Sequence, residues 1–224
     1  MTEPFKSKRT YNSTRRRGQA DATRRAILEA AGRLFDRQGY GATTMAAIAA
    51  EADVALKTLY LAFAGKSDIL SSLWDVVLRG GEDGAPVGQQ PWYREVIEEP
   101  DAARQLRLNA RNSRRVKERI NPVVGSIRSV AASDPDIEAL WNRIQTTFYD
   151  NQRLIVASID AKGALRPGLD VTRAADILWT LNHPDVWLLL VGQRGWTPEA
   201  YEQWFAETAC AQLLNVSSVG AAAP

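Results

Sequence analysis

The stretch "TTMAAIAAEADVALKTLYLAF", from Thr43 to Phe63, predicts two short helices joined by a tight turn. The hydroxyl of Thr43 or Thr44 can cap the first helix, and Ile48 and Ala49 form its inward face. The second helix lies within "ALKTLYLAF" and spans about two and a half turns. Pairs of short helices also occur in ordinary helical bundles, so the spacing alone leaves both a DNA-binding pair and a core hairpin open.

The second of these helices has two unlike faces. Leu59 and Phe63 are four residues apart, so we expect them to lie on one side and to pack inward with Ile48. The opposite side carries Leu56, Lys57, Tyr60 and Leu61. In a helix-turn-helix, the first helix braces the second, which projects side chains into the DNA major groove. The stretch therefore predicts a helix that is both anchored and able to contact a partner.

Helical spacing of apolar residues extends over nearly the whole chain and predicts an all-α fold. A first helix is expected from Asp21 to Gly39, buried through Ile27, Ala30, Ala31, Leu34 and Phe35. A fourth helix is expected from Lys66 to Leu78, followed by a glycine- and proline-rich loop at 80–91. Further helices are expected at 101–120, 122–132, 135–161, 171–182, 185–191 and 198–214.

Charge is distributed unevenly along the chain. Residues 1–66 carry 12 Lys and Arg against 6 Asp and Glu, whereas residues 67–224 carry 16 against 20. Much of the positive charge lies ahead of the first helix, in a segment at 1–20 that includes Arg15, Arg16 and Arg17 and that we expect to be a flexible arm. A basic first part joined to an acidic second part indicates that the first part binds a polyanion.

Several classes of function are disfavoured by composition. Cys210 is the only cysteine and His183 the only histidine, so the sequence offers no catalytic triad, metal site or cofactor site. His183 precedes Pro184 and is expected to mark a break between helices. We see no signal peptide and no apolar run long enough for a membrane span, and we expect a cytoplasmic protein with no membrane partner.

The segment "ILEAAGRLFDRQGYGATTMAAIAAEADVALKTLYLAFAGKSDIL" resembles the DNA-binding module of TetR-type transcriptional regulators. The resemblance depends on anchors in fixed order, among them Leu34-Phe35, "GYGATT", Thr58-Leu59-Tyr60 and Lys66. It implies that Thr44, Tyr60 and Lys66 contact phosphates and that Leu56, Lys57 and Leu61 face base edges. The predicted DNA-binding set is Arg15, Arg16, Arg17, Thr44, Leu56, Lys57, Thr58, Tyr60, Leu61 and Lys66.

The resemblance also implies an architecture for the whole chain. It places a helix-turn-helix DNA-binding domain at 21–66, a larger helical ligand-binding and dimerisation domain at 67–215, and a tail at 216–224. The implied partners are a double-stranded DNA operator, a second copy of the chain and a small-molecule inducer, and the implied function is repression. Within the larger domain we predict that Trp141, Phe148, Trp179 and Asn182 contact the inducer.

The sequence departs from the family pattern at Asp53 and Ala55, and it leaves alternatives open for the function of the chain and for a stripe of basic residues. Asp53 stands where the family usually has Gly, and Ala55 stands where a Ser or Thr usually caps the recognition helix. The alternatives to a ligand-responsive repressor are a DNA-binding factor without a ligand and an all-α enzyme. A stripe of basic residues between Arg104 and Arg119 is interpreted as a solvated helix face, with an acidic ligand or additional DNA backbone as the alternative.

Overall fold

The computed structural model describes residues 9–81 and 84–215, with side chains described from Arg16 onward. Ten α-helices occur in this part of the chain, with no β-strand, so the all-α prediction is confirmed there. None of the helices in these residues is both long enough and apolar enough to cross a membrane. The helices are α1 (Arg9–Ala42), α2 (Met45–Glu51), α3 (Leu56–Ala62), α4 (Lys66–Arg79), α5 (Pro91–Glu98), α6 (Ala102–Val130), α7 (Pro135–Ala161), α8 (Val171–Leu181), α9 (Pro184–Trp187) and α10 (Pro198–Leu213).

The chain divides into two compact units between Leu73 and Trp74. The sequence-based boundary lies earlier, at residue 66, because α4 was assigned whole to the second domain. In the structure the first half of α4 packs into the first unit through Ile69, Leu70 and Leu73. The helix therefore contributes residues to both units.

Helix α1 forms one wall of the first unit. Its predicted stripe, from Ile27 to Phe35, is buried. The helical path is interrupted at Gly39, where the sequence predicted the end of the helix. The φ of this residue is 80°, a conformation that would strain a residue with a side chain. At its other end α1 begins at Arg9 rather than near Asp21, so residues 9–20, expected in a flexible arm, are helical.

The turn between α2 and α3 follows the predicted pattern in detail. Thr44 is the N-cap of α2, and its hydroxyl accepts a hydrogen bond from the Ala47 amide at 3.1 Å. Asp53 adopts φ 53°, the left-handed conformation for which Gly is usual at this turn. Ala55 is the N-cap of α3 and forms no side-chain cap, as expected. Helix α3 therefore begins without a side-chain capping hydrogen bond.

Two cations hold this unit together from inside. The Arg24 guanidinium donates to the Ala62 carbonyl at 3.0 Å and to the Ser72 hydroxyl at 2.8 Å, and it lies 4.1 Å above the Phe63 ring. The Lys66 ammonium donates to the carbonyls of Tyr40 and Thr43, at 2.7 and 2.9 Å. Arg24 thus binds a carbonyl in the last turn of α3, and Lys66 binds two carbonyls at the junction of α1 and α2.

The second unit is built on three long helices, α6, α7 and α10, with α8 packed beside them. Tyr201 and Phe205 of α10 are fully buried in its core. Two features differ from expectation. Helix α6 continues through Pro122, where a break was predicted, and α5 occupies residues that were expected to connect a loop to the next helix. Pro91 opens α5 at its first position, where a missing amide hydrogen costs nothing.

We predict that Leu59→Ala destabilises the first unit by about 2–5 kcal/mol, because Leu59 is fully buried and its removal leaves a cavity. The matched control is Leu61→Ala on the same helix, where the side chain is 80% exposed and the change should be within about 0.5 kcal/mol. Amide hydrogen exchange across residues 27–73 measures both. Equal protection in the two variants would contradict the assigned faces of α3.

Candidate functional site

Helix α3 exposes an apolar surface. Leu56, Tyr60 and Leu61 are 43%, 54% and 80% exposed, and Lys57 and Thr58 are also exposed. Of the six large apolar side chains exposed in the described residues, three lie on this seven-residue helix. Such concentrated exposure is typical of an interaction surface. We call the five residues Leu56, Lys57, Thr58, Tyr60 and Leu61 the α3 face.

The other predicted DNA contacts are placed around this helix in different ways. Thr44 is exposed at the N-terminus of α2. Arg16 and Arg17 are exposed on α1, and Arg15 lies on the same helix with its side chain outside the described part. Lys66 is half-buried, and its ammonium binds the Tyr40 and Thr43 carbonyls. A phosphate contact by Lys66 remains a prediction, beside a structural role that the sequence did not suggest.

A separate cavity of about 250 Å³ lies in the second unit. It is bounded by the end of α4, by α5, α6 and α7, and by the residues that follow α8. Its wall is mainly apolar and aromatic, and its large apolar side chains include Trp74, Trp92, Tyr93, Ile120, Ile144 and Phe148. An enclosed apolar cavity with a few convergent polar groups is the usual form of a small-molecule site.

One charged side chain is buried in this cavity wall. Lys117 of α6 is 5% exposed, and its ammonium donates a hydrogen bond to the Asn182 side-chain oxygen. No carboxylate among the described residues forms an ion pair with it. Burial disfavours the charged form and lowers the pKa of Lys117 to about 7. Sequence reasoning placed Lys117 beside the arginine stripe and missed it as a site residue.

A polar network supports the Lys117 partner. The Asn182 amide nitrogen donates to the Ser113 hydroxyl at 2.9 Å and to the Gln152 side-chain oxygen at 3.3 Å. These bonds fix the orientation of the amide and direct its oxygen at the ammonium. Asn109 also lines the cavity, and its buried side-chain nitrogen donates to no acceptor in the described residues.

Two of the four predicted ligand-binding residues, Phe148 and Asn182, line the cavity. Trp141 and Trp179 are not among its lining residues, and this is a correction to the sequence-based prediction. Both rings pack against His183, with centroids at 6.5 and 4.8 Å. Trp141 lies nearly one turn before the lining residue Ile144 on α7, and α8 reaches the cavity only through its C-cap, Asn182.

His183 has a structural environment. Its Nδ1 accepts a hydrogen bond from the Asp185 amide at 3.2 Å and so caps α9. In the neutral ring Nε2 therefore carries the proton. The Gln145 side-chain nitrogen, 2.7 Å away, is itself a donor, so this contact becomes a hydrogen bond only when the amide is turned to present Oε1, which has no partner in the described residues. Burial lowers the pKa of His183, which favours this neutral form. The residue stabilises the break between α8 and α9, where the sequence placed it.

The arginine stripe on α6 consists mostly of ion pairs with neighbouring carboxylates. Arg104 pairs with Glu99 at 3.1 Å, Arg107 with Asp101 at 3.8 Å and Arg111 with Glu95 at 3.6 Å. Arg114 pairs with Glu118, Glu199 and Glu202. Exposed pairs of this kind contribute little free energy each. This arrangement agrees with a solvated helix face.

Catalytic and metal chemistry receive no support from the described residues. No group of three or more His, Cys, Asp or Glu side chains there is placed to hold a metal ion. The described residues thus offer two candidate sites, the α3 face and the cavity.

Comparison with known proteins identifies the first unit. Residues 27–73 match the sequence profile of the bacterial regulatory proteins of the tetR family. Over 58 residues the chain is 40% identical to the HTH-type transcriptional regulator AcrR of Shigella flexneri, a match that spans 27% of that relative. The predicted resemblance to TetR-family regulators is confirmed over residues 27–73.

Solved structures show that the likeness in fold extends over most of the chain. SmeT, the repressor of the Stenotrophomonas maltophilia efflux pump SmeDEF, was solved as a complex with triclosan. That structure aligns with 91% of this chain and 99% of its own, at 18% identity and a TM-score of 0.67. NalD, a repressor of the MexAB-OprM efflux pump in Pseudomonas aeruginosa, aligns with 88% and 98%, at 20% identity and a TM-score of 0.65.

We predict that stability depends on pH through Lys117. The folded-state pKa of about 7 lies below the ordinary value of 10.5, so the unfolded chain binds more protons between these values. The free energy of unfolding should therefore rise with pH above about 7, by at most about 1.4 kcal/mol per pH unit. Lys117→Met should remove this rise.

Chemical unfolding at several pH values tests the effect. The difference between the protein and its Lys117→Met variant cancels other titrating groups, such as Lys162, whose pKa is also lowered by burial. Parallel pH dependences of the two proteins would contradict the assignment.

Proposed function

We propose that this protein is a ligand-responsive transcriptional repressor, which binds a pseudopalindromic DNA operator as a homodimer and is released by a small molecule. The observation that carries the proposal is the exposed α3 face on a TetR-type helix-turn-helix. A protein acting on an operator in this way is expected in the cytoplasm. No catalytic step is part of the proposal.

Each residue of the α3 face suits a particular DNA contact. Leu56 and Leu61 can pack against thymine methyl groups in the major groove, and Lys57 can donate to guanine. Tyr60 and Thr44 are exposed at positions whose hydroxyls can reach phosphates. Arg16 and Arg17 add charge that favours any DNA sequence. The division predicts that affinity and sequence preference depend on different residues.

Homodimerisation follows from the shortness of the recognition helix. Helix α3 has seven residues and can contact only a few base pairs. Two copies related by a two-fold axis would contact two half-sites and double that information. By the family resemblance the interface would use the last two long helices, and Ile177 and Leu181 of α8 line an open surface groove beside α10.

Ligand response is supported by the cavity and by helix α4. Trp74 and Leu78 of α4 line the cavity, while Lys66 and Ile69 at the other end of the same helix belong to the first unit. An inducer that binds one arrangement of α4 better than another would shift the population away from the DNA-binding form. SmeT, to which the fold is similar, is itself a repressor solved with a small molecule.

Two alternatives lead to different observations. A DNA-binding factor without a ligand would leave the cavity without a function, so the cavity favours the ligand-responsive form. An all-α enzyme would require convergent reactive groups. Among the described residues no group of three or more His, Cys, Asp or Glu side chains is placed to hold a metal ion. Turnover of a bound molecule would support the enzyme.

We predict that selection from a random pool of double-stranded DNA yields one inverted-repeat sequence, bound by two copies of the chain. Half-sites about one helical turn apart, or a multiple of it, are expected from the two-fold symmetry. Sedimentation of the complex gives the stoichiometry. A small-molecule screen for release of that DNA tests the ligand response. Failure to enrich any sequence would overturn the proposed function.

We further predict that Leu61→Ala weakens binding to the selected operator by about 1–3 kcal/mol while changing binding to random DNA little. The pair Arg16→Gln with Arg17→Gln should weaken both and lower the slope of log affinity against log salt by up to about 2. Arg153→Gln, which removes one positive charge at an exposed position of α7 in the second unit, is the control for loss of charge away from α1. Titrations at several salt concentrations measure all three. Equal losses on both DNAs for Leu61→Ala would contradict a base-reading α3 face.

A further inference from the structure

We propose that the inducer is an apolar molecule with a single carboxylate, which is held by the Lys117 ammonium at the cavity wall. This inference rests on the proposed function, since it names the ligand class of the same cavity. It is carried by the arrangement of charge and hydrogen-bond donors around Lys117.

Lys117 has no counter-charge among the described residues. An isolated charge is costly to bury, and buried charges in proteins are normally paired. Lys117 is 5% exposed, yet its ammonium donates to the neutral side-chain oxygen of Asn182. The Asn182 nitrogen is engaged by Ser113 and Gln152, so the network holds the ammonium in place without neutralising it. A ligand anion would supply the charge that the described residues do not.

The remaining cavity wall is mostly apolar, with Trp92, Ile144 and Phe148 among its large side chains. The buried Asn109 nitrogen adds a donor without an acceptor. The cavity therefore favours a ligand that is largely apolar and accepts hydrogen bonds, and a single buried positive charge matches a monoanion.

Several other titratable side chains lie around the Lys117 ammonium or line the same cavity. Asp75 and Arg143 also line the cavity, carry opposite charges and are exposed. Burial raises the pKa of Tyr93 and of Tyr201, whose ring centroid lies 5.5 Å from the Lys117 nitrogen. The remaining neighbours are His183, whose pKa is lowered by burial, and Asp185, which pairs with Arg128 at 2.6 Å.

Protonation of Lys117 gives the inference a distinctive signature. Burial lowers the pKa of Lys117 to about 7, so above this pH much of the side chain is neutral. A bound carboxylate favours the charged form and raises this pKa. Binding should therefore take up a proton, approaching about one per ligand at pH 8, and should weaken as the pH rises further. A neutral ligand would show neither effect.

The experiment compares octanoate with octanamide, octanol and octylamine on the full chain. Binding is followed by calorimetry and by the fluorescence of Trp74 and Trp92, which line the cavity. Hydrogen bonds to charged groups are strong, so octanoate should bind about tenfold or more tightly than octanamide or octanol. Octylamine should bind most weakly. Phenylbutyrate and its amide repeat the comparison with an aromatic body.

The variants locate the effect. Lys117→Met should reduce the ratio of octanoate to octanol affinity to about one, because the ratio depends on one ionic hydrogen bond. Arg143→Gln, a cation at an exposed position of the same lining, should retain the preference. Equal affinity for acid and amide in the unsubstituted protein would overturn the proposal. So would loss of the preference in Arg143→Gln with retention in Lys117→Met.

Proton uptake serves as an independent measurement if Lys117→Met fails to fold. Calorimetry of octanoate binding at pH 8, in buffers of different ionisation enthalpy, counts the protons on the unsubstituted chain. Uptake supports the proposal, and its absence overturns it. These measurements need no DNA, so a failed operator selection would remove the regulatory function while leaving the ligand class tested. Operator binding without a preference for the acid would support the regulatory function and overturn the proposed ligand class.

Discussion

The shortness of α3 is the constraint on which the first unit depends. A helix of seven residues is too short to be stable by itself in water, and this one has no side-chain cap at Ala55. Its conformation must come from tertiary contacts. Leu59 and Phe63 supply the buried ones, and Arg24 binds the Ala62 carbonyl at its last turn. Because the anchoring uses one side only, the opposite side is left exposed for a partner.

The cations inside the two units differ in their burial and in their partners. Arg24 and Lys66 each donate to backbone carbonyls, and each also lies over an aromatic ring, that of Phe63 or Tyr40. Each of these two cations therefore has backbone oxygen atoms as partners. Lys117 has a single neutral side-chain oxygen as its hydrogen-bond partner, and burial lowers its pKa. The cations of the first unit join helix ends to one another, whereas in the proposed mechanism Lys117 binds the carboxylate of the ligand.

The first unit could be predicted closely because its determinants are local in sequence. The stripe from Ile27 to Phe35 and a cap by Thr43 or Thr44 follow from residue type and spacing, and in the structure the stripe is buried and Thr44 is the cap. The left-handed conformation of Asp53 follows from the family resemblance, which places a Gly at this turn. The exposed α3 face follows from the same periodicity. The roles of Arg24 and Lys66 could not be predicted, since their partners lie 38 and 26 residues away.

The cavity was harder to predict for a physical reason. Helical periodicity shows that a residue faces inward, but it does not distinguish a packed core from a cavity wall. Phe148 and Asn182 reach the cavity, whereas Trp141 and Trp179, chosen on the same grounds, pack against His183. Lys117 was obscured by neighbouring arginines of the same charge. Three residues beyond Arg114 on a helix, it turns inward while the arginines meet carboxylates at the surface.

Helix α4 limits what the ligand must achieve in the proposed mechanism. Its fourteen residues form one continuous helix about 20 Å long, with Lys66 at one end and the cavity residues Trp74 and Leu78 toward the other. Lys66 donates to the carbonyls of Tyr40 and Thr43, which precede α2. A movement of α4 would therefore change these hydrogen bonds. A ligand can shift the equilibrium only by the difference in its affinity for the two arrangements. An ionic hydrogen bond to a buried ammonium is a strong source of such a difference, because small changes in the distance between the charges alter its free energy more than they alter apolar contact.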